Sequence, residues 1–302
     1  VRADRRHKRD GLDELEHECV GALLRQQRSQ STNVNPIATA TQTGPKTRPV
    51  SPLAFRLILM VVSVVMVHGI RTSASMWRAQ VEHLRARGVE AVAVDLPGHG
   101  TRMREQFTLE GAMQTIDAAV QRAAARGPVV LSSHSLGGLI SIEYMGQVSP
   151  PPVDAFVAAS CTAIPRGVAL GTYRALARGV DALPGRGMWF SERLLDRTLP
   201  AETRADFGAG GYALDMQDTA LASLSALDLL TALRRIEVPI WFVNGQFDQL
   251  RLQEQLFQRV AKHAELIVVP RTSHLVTAMR PRVFNAVLDL AVATVESGQQ
   301  QS

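Results

Sequence analysis

Three side chains that could together activate a hydroxyl for nucleophilic attack stand just after three apolar runs of the chain. Ser135 follows a run that ends at Ser133, and Asp248 and His274 follow the last two apolar runs. A serine hydroxyl is a poor nucleophile at neutral pH, so it needs a base and a third group that orients the base. The order Ser135, Asp248, His274 therefore predicts a catalytic triad in which His274 takes the proton of Ser135 and Asp248 holds His274.

The segment around Ser135 has the composition of a tight strand-to-helix turn. Such a turn lifts one hydroxyl above the sheet and needs small neighbours, because the strand and helix backbones pass close to each other. Gly137 and Gly138 meet this need on the helix side, whereas Ser133 stands where glycine is usual. We interpret Ser133 as a mild departure and Ser135 as the nucleophile rather than as an ordinary helix N-cap.

Acyl transfer also needs hydrogen-bond donors for the charge that develops on the carbonyl oxygen. His68, Gly69 and Ile70 follow the first strongly apolar run, and the backbone N–H of Ile70 is one expected donor. The N–H of Leu136, just after Ser135 and at a helix N-terminus, is the second. We expect the His68 ring to brace this oxyanion loop and to border the substrate pocket.

Other polar residues are expected to have structural roles. We interpret His99 and His134 as packing or turn-bonding histidines, and Asp95 as the residue that fastens its own Gly/Pro turn. Cys161 resembles a small buried hydrophobe. His, Cys, Asp and Glu residues do not occur at metal-ligand spacing, so we expect no metal site.

The elements that must position these residues follow from an alternation of short apolar runs with helical patterns. This alternation predicts βαβ units and a mostly parallel sheet covered on both faces. The expected strands are Leu57–Val67, Ala91–Asp95, Val129–Ser133, Ala155–Ala159, Ile240–Asn244 and Leu266–Val269. The expected helices include Trp77–Arg87, Leu109–Arg126, Leu136–Gln147 and Pro281–Val295.

Residues 163–237 interrupt the alternation, because they contain helical stretches without a convincing strand. The expected helical stretches are Tyr173–Leu183, Trp189–Asp196 and Asp215–Arg235. An insertion of this size between two strands predicts a helical lid over the carboxyl edge of the sheet, where open α/β sheets bind ligands. Trp189 and Phe190 are candidate residues of an apolar substrate pocket under this lid.

The chain of 302 residues has a formal charge of +5, but the excess is concentrated near its start. Residues 1–50 hold nine Lys/Arg and six Asp/Glu, which leaves 24 against 22 for the rest of the chain. Without a basic stripe carrying interleaved aromatic residues, nucleic-acid binding is disfavoured.

The two cysteines, Cys19 and Cys161, cannot form a disulfide framework, so a reducing compartment is allowed.

Residues 1–52 are expected to form a poorly structured leader, because they lack a core-forming apolar period. An over-extended reading frame would explain such a leader.

The eleven-residue run Leu57–Val67 is too short for a transmembrane helix. The long charged region before it does not fit a signal peptide. We therefore expect a cytoplasmic protein with a core formed by residues 53–162 and 238–298.

Five motifs, in their order along the chain, make the sequence resemble the α/β-hydrolase family over roughly residues 60–297. The motifs are His68-Gly69 with Trp77, the turn Asp95–Gly100, the elbow at Ser135, the turn Gly245–Asp248 and Ser273-His274. The resemblance implies a three-layer α/β sandwich with an inserted lid, and a cofactor-independent serine hydrolase that forms an acyl-enzyme. Haloalkane dehalogenases and epoxide hydrolases fit less well, since they use an aspartate where Ser135 stands. The family usually begins with an antiparallel hairpin, and residues 31–56 are poor strand material, so we expect that hairpin to be reduced or missing.

The expected function is hydrolysis of small or medium carboxylic esters, with a small-molecule acyl ester as the partner. The same triad could instead act on a thioester, a lactone or a C–C bond. A catalytically silent binding protein on this fold is the alternative from a different class. Turnover of a model ester separates the enzyme from the binding protein.

Overall fold

Six parallel strands form the centre of the protein in the computed structural model, which describes Gly21 and residues 61–299. Their order across the sheet is β2-β1-β3-β4-β5-β6. The strands are β1 Ser63–Val67, β2 Glu90–Val94, β3 Val129–His134, β4 Ala155–Ala159, β5 Ile240–Gly245 and β6 Ala264–Val269. All six predicted strands are confirmed, although the predicted residues 57–60 lie outside the described part of the chain.

Strands β2 and β3 lie on opposite sides of β1, so the order in which the chain builds the sheet reverses at β1. Strand β1 pairs with β2 on one side and with β3 on the other, so that Val64 lies opposite both Ala91 and Val130. In open α/β sheets the crevice at such a switch point, beyond the carboxyl ends of the strands, is where ligands bind. Ile70 follows β1 and Ser135 follows β3, so the sheet brings both residues to this crevice.

Helices cover both faces of the sheet. They are α1 Arg78–Ala86, α2 Leu109–Ala124, α3 Leu136–Met145, α4 Gly167–Asp181, α5 Met188–Thr198, α6 Ala201–Ala209, α7 Gln217–Ser223, α8 Leu229–Arg235, α9 Glu254–Val260, α10 Val276–Met279 and α11 Pro281–Gln299. The predicted helices of the core are confirmed within a few residues, whereas α6, α9 and α10 were not predicted.

The sheet divides the apolar core into two layers, because successive side chains of a strand point to opposite faces. Val65 and Val67 pack in one cluster with residues of α2, α3, α8 and α9. Val64 and Met66 pack in the other cluster with residues of α1 and α11. The three-layer α/β sandwich expected from the sequence is therefore present.

The regular elements of the stretch between β4 and β5 are all helical, and they include α4 to α8, joined by loops. The single helical stretch predicted over Asp215–Arg235 is wrong, because the chain forms α7 and α8 with a 3-10 turn at Leu224–Ala226 between them. The extended backbone of Leu227, with φ −70° and ψ 140°, ends that turn and separates the two helices.

Two sequence-based expectations fall largely outside the described residues. Apart from Gly21, the proposed leader over residues 1–52 is not described, and neither is the segment 31–56 in which a reduced hairpin was expected. None of the helices within residues 61–299 has the length and apolar character needed to cross a membrane.

Candidate active site

Ser135 sits in a sharp turn between β3 and α3. Its backbone has φ 52° and ψ −115°, a conformation that non-glycine residues rarely adopt and that is typical of functional turns. The turn needs a glycine at position 137, because a Cβ atom on Gly137 would lie 2.4 Å from the carbonyl oxygen of His68. The tight approach of helix α3 to the loop after β1 therefore explains the small residues of the elbow.

Ser133 fits the position where glycine is usual because it has a partner on the helix. Its Oγ lies 2.7 Å from the Oγ of Ser141 on α3, and both side chains are fully buried. A buried hydroxyl is tolerated when it is hydrogen-bonded. The departure from the usual elbow pattern is thus compensated by a second serine two turns along the helix.

The three residues predicted to form the triad lie in one hydrogen-bonded chain. The Nε2 atom of His274 lies 2.9 Å from the Oγ of Ser135, and its Nδ1 lies 3.0 Å from the Oδ1 of Asp248. Since a carboxylate only accepts hydrogen bonds, Nδ1 carries the proton and the lone pair of Nε2 faces the serine hydroxyl. This tautomer is the one that can remove a proton from Ser135.

Asp248 is held by more than the histidine. Its Oδ1 also accepts a hydrogen bond from the backbone N–H of Leu250 at 2.8 Å, and its side chain is fully buried. Burial raises the pKa of the Asp248 carboxyl, but the hydrogen bond and charge of His274 and the N–H of Leu250 outweigh it. The pKa therefore lies below its usual value, and Asp248 is ionised at neutral pH.

His68 braces the loop after β1 from within the core. Its Nδ1–H donates to the carbonyl of Gly69 at 2.7 Å, and its Nε2 accepts from the N–H of Leu96 at 3.0 Å. Burial, and then the nearby His99, lower the pKa of His68 to about 3, so the ring is neutral. The bracing role is as expected. The expectation that His68 borders the pocket is wrong, because its ring is fully buried and does not line the cavity above Ser135.

An apolar cavity of about 450 Å³ opens above Ser135. Ile70 and Leu136, whose N–H groups are the expected oxyanion donors, line it beside the serine. Its other lining residues are Leu139, Cys161, Ala163, Ile164, Pro165, Leu170, Thr172, Tyr173, Leu176, Leu221, Leu224, Gln249, Leu250, Leu252 and Gln253. The helical insertion thus supplies much of the wall of this cavity.

Trp189 and Phe190 do not belong to this wall, which corrects their assignment as pocket residues. They are 59% and 53% exposed at the start of α5 and stack edge to face on each other at 5.9 Å. Helix α5 buries only Leu195, and the two aromatic rings lie on its solvent side. The sequence predicted a helical stretch over Trp189–Asp196 but did not specify which side of that helix faces the sheet.

Comparison with known proteins gives the family. The family model for the alpha/beta hydrolases matches residues 64–287. The chain belongs to the alpha/beta hydrolase family. Among its curated relatives, (E)-2-((N-methylformamido)methylene)succinate hydrolase of Acinetobacter baylyi is 24% identical over 245 residues, which cover 76% of this chain and 90% of the relative.

Solved structures agree on the fold of this hydrolase. A thermophilic esterase from Thermogutta terrifontis, solved with malate bound, superposes with a TM-score of 0.62 at 20% identity and covers 78% of this chain and 90% of its own. The enol-lactonase from Burkholderia xenovorans superposes with a TM-score of 0.59 at 17% identity. The match covers 76% of this chain and 91% of the enol-lactonase chain. Both comparisons confirm the sheet and its flanking helices.

The structure of this hydrolase gives His134 a contact that the sequence did not reveal. Its Nε2–H donates to the backbone carbonyl of His274 at 2.8 Å, and the two rings lie 5.0 Å apart. Burial, and then the charge of His274, lower the pKa of His134 to about 3, so it stays neutral. His134, the neighbour of Ser135, thus holds the loop that carries His274, 140 residues further along the chain.

The remaining polar residues hold loops in place. Asp95 accepts hydrogen bonds from the N–H groups of Ala74 at 2.7 Å and Thr101 at 2.9 Å, which agrees with its expected role in its own turn. His99 is buried and bonds the carbonyl of Pro97 at 3.0 Å. Within residues 61–299, no three His, Cys, Asp or Glu side chains are grouped so that they could hold a metal ion.

Proposed function

We propose that this hydrolase cleaves carboxylic esters through an acyl-enzyme formed on Ser135. The observation that carries the proposal is the hydrogen-bonded chain from Asp248 through His274 to the Ser135 hydroxyl, which ends at an apolar cavity. A structural serine cap needs neither a buried carboxylate nor a histidine in this tautomer. All three groups are needed, however, to make a serine hydroxyl nucleophilic.

In the first half of the reaction, the Ser135 Oγ attacks the ester carbonyl while His274 Nε2 takes its proton. Asp248 keeps the Nδ1 proton in place and stabilises the imidazolium that forms. The N–H groups of Ile70 and Leu136 donate to the oxyanion of the tetrahedral intermediate. His274 then gives its proton to the leaving alcohol oxygen as the C–O bond breaks, and the acyl group remains on Ser135.

In the second half, water replaces the alcohol. His274 takes a proton from that water as its oxygen attacks the acyl carbonyl, and the same two N–H groups hold the second oxyanion. The proton returns to the Ser135 Oγ as the acid leaves, which regenerates the free enzyme. The cycle balances without a cofactor, because no electrons are transferred to or from the protein.

We also propose that residues 163–237 act as the lid of this site, over a core of residues 53–162 and 238–298. Support comes from the lining of the cavity, to which Tyr173 and Leu221 of the insertion contribute beside Ser135 of the core. A cover of this kind keeps bulk water out of the site, apart from the water that hydrolyses the acyl-enzyme, and strengthens the electrostatic interactions inside.

Turnover of p-nitrophenyl esters, with and without a serine-directed fluorophosphonate, tests the proposed function. The expected result is ester hydrolysis that disappears in proportion to covalent labelling. Labelling without turnover of these esters would instead favour a thioester, lactone or C–C substrate. A protein that neither hydrolyses an ester nor reacts with the fluorophosphonate would contradict the proposal and favour the binding-protein alternative.

A further inference from the structure

We propose that the cavity above Ser135 selects neutral esters with an apolar acyl chain and rejects acyl chains that end in a carboxylate. This inference rests on the proposed ester hydrolysis and adds the chemical class of the substrate. It sets this protein apart from its Acinetobacter relative, whose name describes a substituted succinate as the substrate.

The first argument is the charge of the cavity wall. Among the described residues that line the cavity, none is Asp, Glu, Lys, Arg or His. The thiol of Cys161 is uncharged as well, because burial raises its pKa. An isolated carboxylate moved from water into such a wall loses its hydration and gains no cation in return, which is strongly unfavourable.

The second argument concerns the cation nearest to the site in sequence. Arg71 follows the oxyanion-loop residue Ile70, but it is not among the residues that line the cavity. Its guanidinium pairs with Asp181 at the end of α4. The positive charge is thereby neutralised by a protein carboxylate, and a substrate carboxylate would have to compete with that partner.

The third argument is the shape given by burial. The lining residues that are at most 5% exposed to solvent include Leu139, Cys161, Leu221 and Leu224. Two others, Leu176 and Leu252, are each 67% exposed. The cavity therefore has an apolar closed end, where an acyl chain loses its contact with water, and a mouth beside Leu176 and Leu252.

A chain that reaches the closed end gains affinity with each methylene it buries. About 0.8 kcal/mol per buried CH₂ corresponds to roughly a fourfold gain in binding per methylene. A terminal carboxylate at the same depth reverses that gain. The class of substrate that fits is a neutral ester whose acyl group carries several methylenes.

Three p-nitrophenyl esters test the inference on the unmodified protein: the acetate, the hexanoate and the monoester of adipate. Hexanoate and adipate have the same chain length and differ in the terminal carboxylate. We expect kcat/KM for the hexanoate to exceed that for the acetate at least tenfold, and to exceed that for the adipate monoester about a hundredfold or more. Rates are corrected for spontaneous hydrolysis.

Equal turnover of the hexanoate and the adipate monoester would overturn the substrate class while leaving ester hydrolysis intact. If Arg71→Gln then abolished turnover of the adipate monoester alone, Arg71 would be the cation that the inference denies. Hydrolysis of the acetate without any gain for the hexanoate would also overturn it. Failure of all three esters would contradict the proposed function, and the inference would fall with it.

A matched pair of leucine variants tests the closed end. Leu224→Ala removes buried wall and is expected to move the preferred acyl length upward by one or two carbons. Leu194→Ala, 52% exposed on α5 and outside the cavity, is the control and is expected to keep the wild-type preference. An unchanged preference in a folded Leu224→Ala protein would place the acyl chain elsewhere. If that variant does not fold, the three-ester comparison decides.

Discussion

Replacing Asp248 by asparagine removes one charge and leaves the hydrogen bonds of the triad nearly intact. The Oδ1 of Asp248 accepts from both His274 Nδ1–H and the N–H of Leu250. In Asp248→Asn the amide oxygen must occupy this position, because an NH₂ group there would face two N–H donors. His274 therefore keeps its tautomer, and the loss is almost entirely electrostatic.

The size of that loss follows from the geometry. The carboxylate and the imidazolium touch at 3.0 Å, which puts the centres of charge about 4 Å apart. At an effective dielectric constant of about 20, their attraction is about 4 kcal/mol, or roughly a thousandfold in rate. We expect kcat for a p-nitrophenyl ester to fall about a thousandfold in Asp248→Asn, with little change in KM.

A matched control is the ion pair between α1 and α11. Asp289 pairs with His83 at the same 3.0 Å and takes no part in the site, so Asp289→Asn should leave kcat unchanged. Steady-state kinetics of both variants at one pH make the comparison. A loss of less than tenfold in Asp248→Asn would refute the electrostatic argument. A loss near a millionfold would show that the tautomer had been lost as well.

Three further predictions concern the support of the site. His134→Leu removes the donor to the His274 carbonyl and should lower kcat about fivefold, which corresponds to a hydrogen bond of about 1 kcal/mol. His134→Gln keeps a donor and should retain most of the wild-type rate. Equal losses of kcat in both variants would argue against the hydrogen bond. His68 and His134 have pKa values lowered to about 3 in the folded protein, so below about pH 6.5 only the unfolded chain gains their protons. The free energy of unfolding should therefore fall as the pH drops from 7 to 5, by up to about 1.4 kcal/mol per pH unit for each histidine. Urea titrations at several pH values measure this free energy, and it should change less with pH in His68→Gln than in wild type. Gly138→Ala should cost roughly 1–3 kcal/mol of stability, because its Cβ would lie 2.6 Å from the Sγ of Cys161, and adding Cys161→Gly should recover part of that loss in melting experiments.

The sequence was most informative where function depends on the order of elements along the chain. Ser135, Asp248 and His274 could be selected because each follows a strand, and parallel strands end at one edge of the sheet. The strands themselves were recognisable because buried parallel strands are continuous apolar runs. The distances between the three side chains also depend on the loops after the strands, because β4 and β5 separate β3 from β6 in the sheet.

The sequence was least informative where the environment comes from distant parts of the chain. His134 looked like a packing residue, because its partner is a backbone carbonyl that leaves no trace in residue type. Trp189 and Phe190 looked like pocket residues, because apolar aromatic rings on a helix are usually buried. Which face of an insertion helix meets the sheet depends on the turns that precede it, and residue types alone do not fix those turns.

The central claim is that Ser135 is the nucleophile, and mass spectrometry of the fluorophosphonate-treated protein tests it most directly. Ser133→Ala, in the same elbow but bonded to Ser141, is the matched control for Ser135→Ala. We expect a single adduct on the peptide that contains Ser135 in wild type and in Ser133→Ala, and none in Ser135→Ala. An adduct that persists in a folded Ser135→Ala protein, or that maps to another serine, would contradict the account.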